Sequence, residues 1–160
     1  MSNKTLQLTA SMLLFGCLYV SPVNAVDDDS VKKRLDERSI SFDVDKDGDY
    51  KIVYSFEKEK RSQLVFISGS TETIQSMKIR EIFAPAANMK SAGIDDKKAL
   101  ELLTNSRKNK LGSWEVSNDM LFLVVKIPDS VNAVELEIML DAAAGIADEM
   151  ELKLTGKDEL

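Results

Sequence analysis

The chain contains no histidine, and its single cysteine, Cys17, lies near the N-terminus. Without imidazole there is no Ser-His-Asp triad, no Cys-His pair, no histidine-ligated zinc and no histidine-held haem. Each of these needs a near-neutral pKa or the ring lone pair. Tryptophan occurs once and proline three times. No apolar run approaches the roughly 20 residues of a membrane-spanning helix, so an integral membrane protein is not expected. No glycine-rich loop of the phosphate-cradling type occurs. Basic residues number 21 against 27 acidic ones and form no stripe interleaved with aromatics. Nucleic acid and anionic membrane surfaces are therefore poor partners.

What is present is a globular composition of 160 residues, 44% apolar and 30% charged, which fits one domain. The first 25 residues stand apart: Lys4 is their only charge, Met12 to Val20 is apolar, Pro22 breaks the run, and Val23-Asn24-Ala25 follows. This is the pattern of a secretory signal peptide cut after Ala25. The mature chain would begin at Val26 and keep 135 residues, 20 of them basic and 27 acidic, a net charge near −7, with no cysteine. Its stability must then come from a packed core instead of disulfides, which that length allows. Leu14-Phe15-Gly16-Cys17 offers a second reading as a lipobox whose cysteine carries lipid, although phenylalanine before the glycine fits that pattern poorly. Lys157-Asp158-Glu159-Leu160 spells the ER-retention signal, but such an ending also arises from an amphipathic helix in an acidic protein. A periplasmic or secreted location is the simpler expectation.

Periodicity predicts the elements. Asp27 to Arg38 reads as a short charged helix with Val31 and Leu35 inward. Ile40, Phe42 and Val44 then alternate, a turn spans Asp45 to Asp49, and Ile52, Tyr54 and Phe56 alternate again, which is a hairpin. Gln63 to Ser68 and Met77 to Phe83 continue the pattern, with Pro85 expected to end the meander. Asp95 to Lys108 reads as a helix with Ala99, Leu100, Leu102 and Leu103 apolar. Trp114 and Val116 alternate before an Asn118-Asp119 turn, and Met120 to Ile127 reads as a buried strand. Asn132 and Glu135 resemble a capping box for a long helix to Leu154, whose Gly145 is expected to lie close to the sheet. The order α-β-β-β-β-α-β-β-α describes one α+β domain, residues 26–160, with a twisted antiparallel sheet and helices packed on it.

Few residues suggest chemistry. Asp43, Asp45, Asp47 and Gly48 match the first half of a calcium loop, with Asp49 beside them. Position 12 is Tyr54 instead of a bidentate glutamate, so the aspartates read first as a hairpin turn and second as a weak calcium site. Asp148 with Glu151, and Glu149 with Lys153, read as the solvated side of the last helix and not as an acid-base pair. Ser68-Gly69-Ser70 reads as a turn. Trp114 reads as core, and Arg61, Arg80 and Lys126 as solvent-facing or edge charges, with Arg80 beside Glu81 as an alternative buried pair.

The segments Asp47-Gly48-Asp49-Tyr50, Arg61-Ser62-Gln63, Ile79-Arg80-Glu81-Ile82, Leu111-Gly112-Ser113-Trp114-Glu115 and Ala147-Asp148-Glu149-Met150-Glu151 resemble the YbjN family of bacterial sensory transduction regulators, from about Val31 to the C-terminus. The resemblance implies a fold like that of type III secretion chaperones and brings no catalytic motif or cofactor. Family members are mostly cytoplasmic, and the signal peptide is a departure. Taken together, the expectation is a non-enzymatic protein-binding module, with Arg61, Arg80, Trp114 and Glu115 as partner-contact candidates. The partner is another protein, a second copy of the chain included.

Overall fold

The computed structural model describes residues 29–160; the segments read above as a signal peptide and, alternatively, as a lipobox lie outside the described residues. The chain forms α1 (Asp29–Glu37), β1 (Asp43–Val44), β2 (Tyr50–Phe56), β3 (Arg61–Ile67), β4 (Glu72–Ile74), β5 (Met77–Asn88), α2 (Asp96–Ser106), β6 (Ser113–Ser117), β7 (Met120–Pro128) and α3 (Ala133–Thr155). Among the described residues this is a mixed fold of three helices and one seven-stranded sheet, antiparallel throughout, in the order β1-β2-β3-β5-β7-β6. β4 pairs with the first residues of β5, and β3 pairs with later ones.

Local chemistry sets the ends of these elements. Asp95 caps α2 by accepting the Lys98 N–H at 2.9 Å. Asn132 and Glu135 form the expected capping box, each accepting the other's backbone N–H at 2.9 Å, and Gly156 closes α3 in the left-handed region at φ 71°. Asn118 and Asp119 both adopt positive φ, 49° and 64°, which a two-residue hairpin between right-twisted strands requires.

Strand alternation sends Ile52, Val65, Ile67, Ile82, Leu121, Leu123, Val125 and Ile127 to one face, where they are buried. Onto that face packs α3 through Leu136, Leu140, Ala143, Ala144 and Ala147. Alanines Ala84 and Ala86 on β5 are also fully buried, so small side chains on sheet and helix let the two layers approach closely. α1 adds Val31 and Leu35 beside α3, and α2 adds Leu102 over β6. The opposite face carries Phe66 stacked on Phe83 at 5.1 Å, with Phe122 edge-on to Phe83 at 6.0 Å.

Four expectations change. Ile40 and Phe42 pack on the core but lie outside β1, because the N–H groups of Arg38, Ser39 and Ile40 bond back to Leu35 and Asp36 and finish α1. β4 adds a short strand that carries no apolar alternation in sequence. Pro85 does not end its strand: β5 bulges between Pro85 and Ala87 and runs on to Asn88, while the Gln63 side chain donates to the Pro85 carbonyl at 2.8 Å. Gly145 does not touch the sheet, since a Cβ there would meet nothing within 4 Å; its alanine neighbours Ala143, Ala144 and Ala147 make the close approach instead.

Candidate functional site

β6 is an edge strand, and α2 runs beside it. The Trp114 N–H donates to Ser106 Oγ at 2.9 Å, away from β7. The register from Ser113↔Val124 to Ser117↔Met120 is unbroken, so alternation turns the N–H and C=O of Val116 and the C=O of Trp114 to the same outer edge. Among the described residues these groups bond to nothing. The side chains next to them are apolar and open: Val116 is 57% exposed and Leu103 64% exposed. Between them lies a cavity of about 190 Å³ walled by Met89, Ala99, Leu102 and Trp114. A free strand edge beside an apolar hollow is the arrangement that accepts an added strand, with backbone bonds on one side and alternate side chains inserted on the other.

Trp114 itself is 5% exposed and belongs to the core, as its sequence context suggests; its indole N–H donates to Asn105 Oδ1 at 3.0 Å and fixes α2 to β6. Glu115 points to the opposite sheet face and pairs with Lys126 at 2.8 Å, with Glu81 at 3.7 Å from the same lysine.

The arginines differ from expectation. Arg80 is 1% exposed, not an edge charge, and its partner is Asp129, with Nε to Oδ1 at 2.7 Å. Its guanidinium also donates to the Ser68 carbonyl. Glu81 cannot be that partner because consecutive strand residues face opposite sides. Arg34 of α1 joins the same node, donating to the Asp129 and Val131 carbonyls at 3.0 Å each and to Asp129 Oδ1 at 3.2 Å. Arg61 grips Asp148 with two nitrogens, at 2.9 and 2.7 Å. Neither Arg61 nor Arg80 therefore presents an uncommitted guanidinium to a partner.

Asp148 and Glu151 are not on the solvated side of α3: they are 3% and 1% exposed, whereas Glu149 and Lys153 are exposed. Arg61 accounts for Asp148. Glu151 is covered by the C-terminal tail, whose Glu159 N–H donates to Glu151 Oε1 at 2.7 Å, while Asp158 accepts the Ser62 N–H at 3.2 Å. Burial pushes the Glu151 carboxyl above the ordinary glutamate range, with Asp158 and Asp148 adding to the rise, and the Glu159 and Leu160 N–H groups holding it back. A pKa raised in the folded state contributes stability that is fully present below the unfolded pKa and lost as pH rises through the folded one. Glu151→Gln keeps an acceptor for the tail and discards the charge. Its melting temperature is expected to exceed that of the parent near pH 7, with the difference closing toward about pH 4, where the parent carboxyl is protonated. Calorimetric melts across that range check it, and a constant difference would contradict the assignment.

The aspartate turn is closed on itself. Asp45 Oδ1 accepts the N–H groups of Asp47 and Asp49 at 2.9 and 3.0 Å, and Asp49 Oδ1 accepts the Gly69 N–H at 2.9 Å. Gly69 is required there: a Cβ would sit 2.0 Å from the Gly48 carbonyl oxygen. Asp43 lies 3.5 Å from the Lys51 ammonium. The structure does not bring the four carboxylates together, and among the described residues no group of three or more metal-ligating side chains converges. No described helix is long and apolar enough to cross a membrane.

Sequence reasoning found Trp114 but missed the exposure of Leu103 and Val116; the unusually wide apolar arc of α2 is the signal that was there. Compared with protein-family models and with curated proteins, the chain matches none.

Proposed function

We propose that the protein is an exported, non-enzymatic, YbjN-like module of the bacterial envelope that binds another polypeptide as an added strand along β6, in the manner of a chaperone or regulator. The observation that carries this reading is the unpaired Val116 edge beside exposed Leu103 and the apolar hollow under it. Soluble proteins protect long free edges with charge, proline or a covering element, and β6 carries an apolar residue at the open position instead. The type III secretion chaperone-like architecture is supported by a twisted antiparallel sheet with helices on one face. Export is supported by the N-terminal residue pattern. An envelope address is preferred to ER retention because the resemblance is to a bacterial family and the Lys157-Asp158-Glu159-Leu160 ending is accounted for by an amphipathic helix end in an acidic chain.

A photo-reactive residue at position 103 in intact cells tests the reading. A polypeptide adduct is expected, and Val116→Pro, which removes an edge donor without touching the β7 ladder, should lower its yield roughly tenfold, the equivalent of one lost backbone bond and its stranded acceptor. Val116→Thr should keep it. An adduct that survives Val116→Pro unchanged, or no polypeptide adduct in any growth condition, would overturn strand addition at this edge.

A further inference from the structure

The other flank of α2 has a different character. Between α2 and α3 runs a groove of about 560 Å³ with Leu100, Leu102, Met150 and Leu154 along its floor. Leu100 is 64% exposed, so the floor is open to solvent at its centre. Around it stand Lys97, Lys98, Lys108 and Lys153, against one acidic residue, Glu101. All four lysines are exposed, and among the described residues none of them is ion-paired, although Lys32, Lys51, Lys90, Lys126 and Lys157 each have a carboxylate partner. A local cluster of uncommitted cations around an apolar floor runs against the net negative charge of the chain.

From this charge pattern we infer that the α2–α3 groove docks an acidic amphipathic helix of a partner protein. α2 is 11 residues long, roughly 16 Å or three turns, with Lys97 and Lys98 in its first turn and Lys108 just past its last. A partner helix of that length laid beside α2 sets its apolar stripe on Leu100 and the half-buried Leu154, and its acidic flanks against lysines at both ends and on the α3 side. A long-chain carboxylate offers one negative charge and suits an enclosed apolar tunnel, whereas here the cations are spread over three turns and the floor is open. A nucleic acid strand would gain from the lysines but not from Leu100. This surface shares only the buried Leu102 and the seating of α2 with the hollow beside β6, and none of the exposed contact residues is common to the two, so substitutions of those residues test them separately.

Fluorescence anisotropy of the purified protein with a labelled three-turn helical peptide, leucines on one face and glutamates on both flanks, tests the inference. Binding is expected, weakening as salt rises, and falling about tenfold or more in the Lys97→Glu, Lys98→Glu double variant and in Leu100→Ser. The double variant places acids in the first turn of α2, where the helix dipole favours them, so the fold is kept. Val116→Pro should leave this binding unchanged. A lysine-flanked peptide that binds equally well, affinity indifferent to the charge reversal or to Leu100→Ser, or full competition by dodecanoate or a single-stranded oligonucleotide would each overturn it.

Discussion

Arg80→Ala is expected to cost about 3–5 kcal/mol of unfolding free energy, the range for breaking a buried ion pair by removing one partner. The Arg80 side chain is 0% exposed and meets Asp129 at 2.7 Å and the Ser68 carbonyl. Truncation leaves that carbonyl without its donor, hands the Asp129 carboxylate to Arg34 alone, and opens a cavity the size of a guanidinium between β5 and the entry to α3. The node also joins elements far apart in sequence, because Arg34 belongs to α1 and Asp129 follows β7. Arg80→Met refills the volume without the charge and should cost clearly less than alanine, since Arg34 still neutralises Asp129. Arg80→Lys keeps the charge but not the fork and should fall between them. Urea midpoints at constant m-value measure the series. An alanine variant within about 0.5 kcal/mol of the parent, the range of an ordinary surface substitution, would mean that the pair is not formed in solution.

Arg80 also marks where the sequence stops being legible. Period-two alternation identified the strands β2, β3, β5, β6 and β7, and the capping box and apolar face of α3 were readable residue by residue, because those signals are local. Alternation alone requires Arg80 to share a face with Ile82, the buried face, yet a charge there looks implausible until its partner is known. That partner lies 49 positions later. Asp148 is the same case: i, i+3 spacing with Glu151 suggests a wet helix face, and only Arg61, 87 positions earlier, explains its burial. Glu151 depends on a tail that folds back by eight positions from Glu159. α2 fails differently. Ala99 and Leu102 turn inward while Leu100 and Leu103 stay exposed, because an arc that wide cannot be covered by a single edge strand. The surplus leucines, one on each flank of α2, are the residues on which both proposed contacts rest.

The second large effect is expected at Trp114. Trp114→Ala should lose about 3–5 kcal/mol, the usual cost of deleting a buried aromatic side chain. The consequence is not confined to volume. The indole N–H bond to Asn105 and the backbone N–H bond to Ser106 are side-chain contacts that hold the last turn of α2 on β6. Deleting the ring removes the first and weakens the geometry of the second. Amide exchange in α2 should therefore accelerate more than in β5 or β7, which keep their own ladders. Trp114→Phe retains a six-membered ring in the core but drops the indole donor and three buried ring atoms, a loss of about 2 kcal/mol, smaller than that of alanine. The pair separates two roles for this residue. If Trp114 were chiefly a contact surface, alanine would leave stability intact and phenylalanine would impair partner capture. As a structural rivet beneath the β6 edge, it gives the opposite pattern: alanine unseats α2 and takes both grooves with it, while phenylalanine leaves the Val116 edge in place and the adduct from position 103 undiminished.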